Sequence, residues 1–504
     1  MPSQDDFIKQ EGTEFPGKTY VEHLLRPVFS DQRDYLFKHM FNIHRAHVVM
    51  LAEQNILQQK EAATILQGVE SVAKIDPQSL QYDSQFEDLF FMIEHKISNE
   101  IGPDLAGKMH MARSRNDMGI AMYRLALRKH IITLTESSLL LATALLEKIN
   151  EHAETIITAY THTQPAQPTT LGHYLTAILD ILLRDIKRLH SAYETVNSSP
   201  MGAAALSTTS FPINRKRVSE LLGFHKLIEN SYDAVAGADY LIESATAVLT
   251  LMTNSGRWIQ DFLQLVTREH NILKVADPYV QISSIMPQKR NPVSIEHSRS
   301  LASSSAGEAL AAIHMIHNTP FGDIVDTEDD LQPHLYRSYE KANRVMYLMH
   351  AVIRTMEVNK ETALKRAKTS CITITELADY IAKEKHVPFR TAHQIASAIA
   401  KKCSQQSIEL YELRLQTVNE LIRSHQNVYL TQKEWKEIIC PIEFVRRRSI
   451  QGGPNPNEVR RMAEERDDYI QRVQTSLFNE KARLKLAQKL LMDAVQQLMA
   501  EGTP

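Results

Sequence analysis

Two serines, a lysine and an asparagine fall within nine residues of one another in Ser283-Ser284-Ile285-Met286-Pro287-Gln288-Lys289-Arg290-Asn291-Pro292, and Glu296 follows four residues later. A loop this rich in polar residues of catalytic type, between long helices, is a candidate for chemistry. A second polar segment, Tyr160-Thr161-His162-Thr163-Gln164-Pro165-Ala166-Gln167-Pro168, places a histidine among hydroxyls and amides, with prolines that forbid a regular helix. A lone loop histidine is usually an exposed bystander; His162 is an acid/base candidate because Thr161 and Gln164 beside it can also hold a substrate. In Lys108-Met109-His110-Met111-Ala112-Arg113-Ser114-Arg115-Asn116-Asp117, Arg115 offers a bidentate donor and Asn116 an amide to a carboxylate. Taken alone, that segment reads more simply as a capped helix start with a surface ion pair. The fourth segment runs from Met201 to Arg215 and combines small residues with the hydroxyl run Ser207-Thr208-Thr209-Ser210. It can ring a small anion, and it can equally be a plain connecting loop.

The elements between these segments must be mostly helices. Only 16 glycines and 19 prolines interrupt 504 residues, and the stretches 117–157, 170–198, 232–268, 292–318 and 334–360 carry apolar residues at three- and four-residue intervals. Period-two alternation is scarce, so few strands are expected. Small side chains dominate 299–312, which predicts a helix whose backbone approaches its neighbours closely. Helices this long cannot all hide their apolar faces in one small domain, so a long bundle completed by other copies of the chain is expected. The punctuation predicts an N-terminal helical domain over 1–115, a central helix bundle over 116–360 and a C-terminal helical domain over 361–504.

A net charge of −3 gives no electrostatic case for nucleic acid or an anionic membrane. The one dense basic run, Arg446-Arg447-Arg448, reads as a solvated helix end or a structural ion pair. Cys371, Cys403 and Cys440 are odd in number and widely spaced, which argues against a disulfide framework and gives no metal-ligand spacing. Neither a secretory signal nor a long apolar run is visible, so a cytoplasmic location is expected. No glycine-rich nucleotide loop or metal cluster is present, and no cofactor is expected.

Together the four segments resemble the fumarase/aspartase superfamily and, within it, the argininosuccinate lyase family. Ser283 to Pro292 is similar to the superfamily's catalytic loop. Arg113 to Asp117 and Thr161 to Pro168 resemble the argininosuccinate lyase versions of two other active-site segments. Val387-Pro388-Phe389-Arg390-Thr391-Ala392-His393 and Arg448-Ser449-Ile450-Gln451-Gly452-Gly453 resemble that family's C-terminal domain. The resemblance implies a mainly α, three-domain subunit whose five long helices join a twenty-helix core in a homotetramer, with each site shared between three subunits. It implies β-elimination from an N-succinyl amine to fumarate and an amine. Ser283 would be the base, Lys289 and Asn291 would face the developing aci-carboxylate, and Arg115, Asn116 and Thr161 would anchor the succinyl end. His162, charged and oriented by Glu296, would protonate the departing nitrogen, with Ser284 and Gln164 as further substrate contacts.

Several positions depart from the family pattern. Where the family shows a tyrosine, a glutamine and a lysine that hold the arginine part of argininosuccinate, ungapped alignment from Pro320 gives Asp323, Glu328 and Leu331. Ile282 stands for a glycine, Phe90 for a histidine and Ala238 for an arginine. Either the register slips and argininosuccinate remains the substrate, or Asp323 and Glu328 favour an amine with a further positive charge and no nearby carboxylate, such as a diamine or guanidine. A catalytically silent, crystallin-like homologue is a further reading, although its expected lesion at Ser283, His162, Lys289, Asn291 or Glu296 is missing. A helical scaffold with no site would leave the four polar segments unexplained.

Overall fold

The computed structural model of the protein describes residues 3–502. In the N-terminal part, helix α1 (Leu89–Ile101) is capped by Asp88, whose carboxylate accepts from the Phe91 amide at 3.0 Å. The chain then enters α2 (Arg115–Glu151), where Ser114 and Asp117 form a capping box that satisfies amides a helix start leaves free. The helix is shorter than the expected 117–157, because the chain turns at His152 and Thr155, whose side chains meet at 3.0 Å. The Pro165 and Pro168 segment that could not be helical is instead half of an antiparallel hairpin, β1 (Ile156–Thr161) and β2 (Gln164–Thr170). Proline is tolerated there because a two-stranded ribbon has open edges.

Helix α3 (Leu171–Val196) leaves the hairpin with Thr170 as its cap, accepting from the His173 amide at 3.0 Å. Gly172 is required at this junction: a Cβ there would sit 2.8 Å from both Ala153 Cα and the Ile149 carbonyl. The helix expected over 232–268 is two, α4 (Ser231–Ala236) and α5 (Asp239–Leu265). At Gly237 the backbone becomes extended, with its N–H on the Asp233 carbonyl at 2.8 Å, and the helical path is lost. The short strands β3 (Gln281–Ile282) and β4 (Arg290–Asn291) pair before α6 (Val293–Ile316) and α7 (Leu331–Thr355). Among the described residues, strands occur only in two-stranded pairs.

The five long helices form one bundle: α2 lies against α3 and α7, α5 against α3 and α6, and α6 against α7. The small side chains of α6 serve the expected close approach. Ser305 donates to the Ser338 carbonyl at 2.7 Å and Ser338 returns a bond to Ser305 at 2.9 Å, each worth about 1 kcal/mol. Ser300, Ser303, Ser304, Gly307 and Leu310 on α6 remain exposed.

A second, smaller core gathers Leu377 and Ile381 of α8 (Ile374–Glu384), Ile395 and Ile399 of α9 (Phe389–Gln406), and Trp435. The basic run proves to be structural at two positions, since Arg447 and Arg448 each donate to Glu376 at 2.8 Å. The last helix, α10 (Pro456–Glu501), returns along α2 and α3, and its Val459, Met462, Leu491 and Val495 join the main core. Among the described residues no helix is long and apolar enough to cross a membrane.

Candidate active site

At the start of α2 the Arg115 guanidinium lies 3.2 Å from Asp88 and 3.4 Å from Glu87, and 4.9 Å from the centre of the Phe91 ring. Glu87 and Phe91 also line a cleft of about 520 Å³ that reaches Glu94 and His110. Asn116 accepts from the Ser114 hydroxyl at 2.9 Å through its amide oxygen, which leaves its NH₂ group as a donor. The expected ion pair is therefore present, and it holds Arg115 among acids rather than leaving it free.

The loop between α6 and α7 adds more of them. Glu328, half-buried, lies beside the carboxyl of the exposed Asp323. Burial, and then the Asp323 charge, push the Glu328 carboxyl well above the usual carboxylate range, while Arg115 pulls it back. Burial also raises Asp329, although Gln32 donates to it at 3.0 Å. Leu331 is fully buried as the first residue of α7, so that position faces the core. Asp323 and Glu328 thus stand with Arg115 and Asn116 at one end of the bundle.

The remaining candidates occupy the other end. Thr161 and Gln164 are register partners, and His162 and Thr163 form the exposed tip between them with φ of +49° and +63°. Left-handed backbone at a non-glycine residue costs on the order of 1–3 kcal/mol, and a two-residue hairpin turn would ordinarily carry Asn-Gly. Asparagine and glycine would adopt this backbone at lower cost than His162 and Thr163.

Pairing of β3 with β4 makes Ser283 to Lys289 a hairpin loop, with Gln281 opposite Asn291. The Ser283 Oγ accepts from the Met286 amide at 3.0 Å and the Ile285 amide at 3.4 Å. Negative charge developing on that oxygen would meet two backbone donors already in place. Ser284 and Lys289 are exposed, Asn291 is half-buried, and Glu296 is exposed in the first turn of α6. Among the described residues no ion pair joins His162 to Glu296 within the chain; His162 is exposed and offers its carbonyl to the Thr163 hydroxyl at 2.6 Å. Ile282 and Ile285 are 74% and 83% exposed, so this loop presents apolar side chains to water in the single chain.

The two groups cannot meet in one chain. Arg115 opens α2 and the His162 hairpin lies beyond its other end, and the 37 residues of α2 span about 55 Å at ~1.5 Å per residue. The Ser283 loop and the Asp323–Glu328 loop lie beyond opposite ends of α6, whose 24 residues span about 36 Å. The candidate residues of one chain thus fall into two groups at opposite ends of its bundle.

The fourth segment belongs to the Arg115 end. Asp117, fully buried, accepts from the Gly202 and Ala204 amides at 2.9 Å each. Sequence reading sees only a helix cap at Asp117, because its partners are more than 80 residues away. Glu87 and Asp88, which hold Arg115, show in the sequence only as an acidic pair directly before a helix. Among the described residues, no group of three or more His, Cys, Asp or Glu side chains is placed to hold a metal ion.

Comparison with known proteins bears on this arrangement. Residues 31–307 match the Lyase family and residues 371–446 match the argininosuccinate lyase C-terminal family. Argininosuccinate lyase 2 of Agrobacterium fabrum is 40% identical over 464 residues, covering 91% of each chain. The solved structure of an EDDS lyase variant with bound fumarate is similar over 93% of each chain, with 31% identity and a TM-score of 0.87. A class II fumarase from Schistosoma mansoni shares the fold at 16% identity, with a TM-score of 0.66 over 82% of this chain and 90% of its own.

Proposed function

Given that the chain belongs to the argininosuccinate lyase family and is a carbon–nitrogen lyase of the fumarase/aspartase fold, we propose that it splits an N-succinyl amine into fumarate and an amine bearing a further positive charge. The observation that carries the first half is the Ser283 hydroxyl, whose oxygen already faces two backbone N–H groups at the centre of the loop. A serine is a poor base at neutral pH unless its deprotonated form is stabilised in a closed, water-poor site. The backbone donors supply part of that stabilisation, and a covering partner subunit would supply the exclusion of water that exposed Ile282 and Ile285 call for.

In this reading Ser283 takes the Cβ proton and the electron pair moves into the adjacent carboxylate. Lys289 and Asn291 hold the resulting doubly charged aci-carboxylate, each such donor typically worth roughly 3–4 kcal/mol. Arg115, Asn116 and Thr161 anchor the succinyl group, with Ser284 and Gln164 beside them. His162 then gives a proton to the departing nitrogen, oriented and charged by Glu296. Since the two groups of candidate residues lie at opposite ends of the bundle, copies packed antiparallel bring the Arg115 end of one to the Ser283 end of another. A homotetramer with a site shared between three subunits does this for every copy, and the exposed small-residue face of α6 is suited to such packing. The free thiols Cys371, Cys403 and Cys440 suit a reducing, cytoplasmic setting.

The amine end follows from Asp323 and Glu328, which would attract a cationic nitrogen and repel the α-carboxylate of arginine. Argininosuccinate itself is the second reading, favoured by the name of the 40% identical relative. Running the reaction in reverse with fumarate and a panel of amines separates the two: clear preference for L-arginine over diamines removes the altered amine end. The shared site is tested by mixing two inactive variants, Arg115→Ala and Ser283→Ala. Reassembled together they should regain a fraction of wild-type turnover, and failure to regain any would count against sites built from different subunits.

A further inference from the structure

Asp117 does more in this fold than cap a helix. One carboxylate oxygen accepts from the Ser114 amide at 3.0 Å, while the other accepts from both Gly202 and Ala204 at 2.9 Å. The first bond fixes the backbone leading into Arg115 and Asn116. The other two fix the loop that carries the exposed hydroxyls of Ser207, Thr208 and Ser210. A single buried side chain therefore joins two polar segments more than 80 residues apart in sequence.

The far side of the same loop is pinned independently. Arg215 donates to the carbonyls of Met201, Glu229, Pro200 and Ile228 at 2.9 to 3.3 Å. Gly202 sits between the two clamps with φ of +80°, and a Cβ there would lie 2.6 Å from Arg215 Cγ. A plain connector has no need of a fully buried carboxylate on one side and a guanidinium on four carbonyls on the other. Taking a carboxylate out of water is costly, and it is sustained here by three N–H donors.

We infer that Asp117 is a positioning residue of the fumarate site, setting the Met201–Ser210 loop against Arg115 and Asn116 so that its hydroxyl run forms one wall of the succinyl pocket. This role rests on the reading of Arg115 and Asn116 as succinyl anchors. Asp117→Asn is the informative change, because it keeps the size of the side chain and one accepting oxygen. Its NH₂ group must then face an N–H on one side, so either the cap or the link to Gly202 and Ala204 is lost.

The test is fumarate binding to the full chain in its assembled state, measured by calorimetry beside thermal unfolding and amide exchange. Asp117→Asn is expected to weaken fumarate binding roughly tenfold or more, with faster exchange at Gly202 and Ala204, since small displacements of binding groups carry large penalties. Should that variant fail to fold, Arg215→Lys takes its place: it loosens the same loop from the other side and should weaken fumarate binding several-fold. Wild-type chain that binds fumarate while the folded variant binds it equally well would overturn the positioning role alone. Wild-type chain that binds no fumarate would overturn the lyase reading together with this role.

Discussion

Glu328 is half-buried beside the Asp323 carboxyl, and burial and then the neighbouring charge raise the Glu328 carboxyl to about 8, which favours its protonated form at neutral pH. The Asp329 charge raises Glu328 further, with Arg115 as the opposing charge. A cationic amine arriving at this pair would replace the proton as the group that offsets the second negative charge.

Amine binding should therefore release a proton. Glu328 has a raised pKa in the empty site, so its protonated form dominates below that value and the anionic form that attracts a cation dominates above it. Apparent affinity for a cationic amine should rise as pH climbs through the Glu328 titration, by up to about tenfold per pH unit for one proton released. Glu328→Gln should flatten that rise and weaken the amine on the order of tenfold, while fumarate binding changes little. Reverse-reaction KM values for the amine across pH provide the measurement.

Ser283→Ala removes the proposed base and leaves the helices untouched. Turnover should fall by about 10²–10⁴-fold or more, the span associated with loss of a general base, while oligomeric state and fumarate binding persist. Ultraviolet absorbance of released fumarate, read beside the sedimentation of the variant, checks both halves. Near-normal turnover would remove Ser283 from the mechanism.

His162→Asn should separate stability from activity. Asparagine tolerates left-handed backbone better than histidine, so the hairpin tip should gain a few tenths of a kcal/mol, or ~0.5 kcal/mol. Loss of the acid should cost about 10²-fold or more in turnover. An unchanged rate would place the proton donor elsewhere.

Glu376→Ala tests the role of the basic run. Glu376 is nearly buried and holds both Arg447 and Arg448, so its removal leaves two guanidinium groups short of a partner. Both arginines are partly exposed, which reduces the penalty expected for a fully buried pair to about 2 kcal/mol. Denaturant unfolding should show that loss. Addition of nucleic acid should restore none of it if the run is structural.

Much of this molecule was legible in sequence because helices report themselves locally. Apolar spacing over 170–198, 292–318 and 334–360 is a property of neighbouring residues; α3 and α6 lie within their stretches, and α7 starts three residues ahead of its own. The four polar segments were legible for the same reason, since residue types such as Ser283, His162, Lys289 and Asn291 need no partner to be noticed. Where the signal was local but ambiguous, tertiary contacts decided. The tight junction at Gly172 and the turn at His152 cut α2 short, and the extended backbone at Gly237 split α4 from α5. The acid–acid contact of Asp323 with Glu328, their proximity to Arg115 and the link from Asp117 to Gly202 depend on which ends of the helices come together. So does the separation of the two groups of candidate residues: it follows from the lengths of α2 and α6 and from alternating chain direction, quantities that local residue pattern hints at and only the packed bundle makes definite.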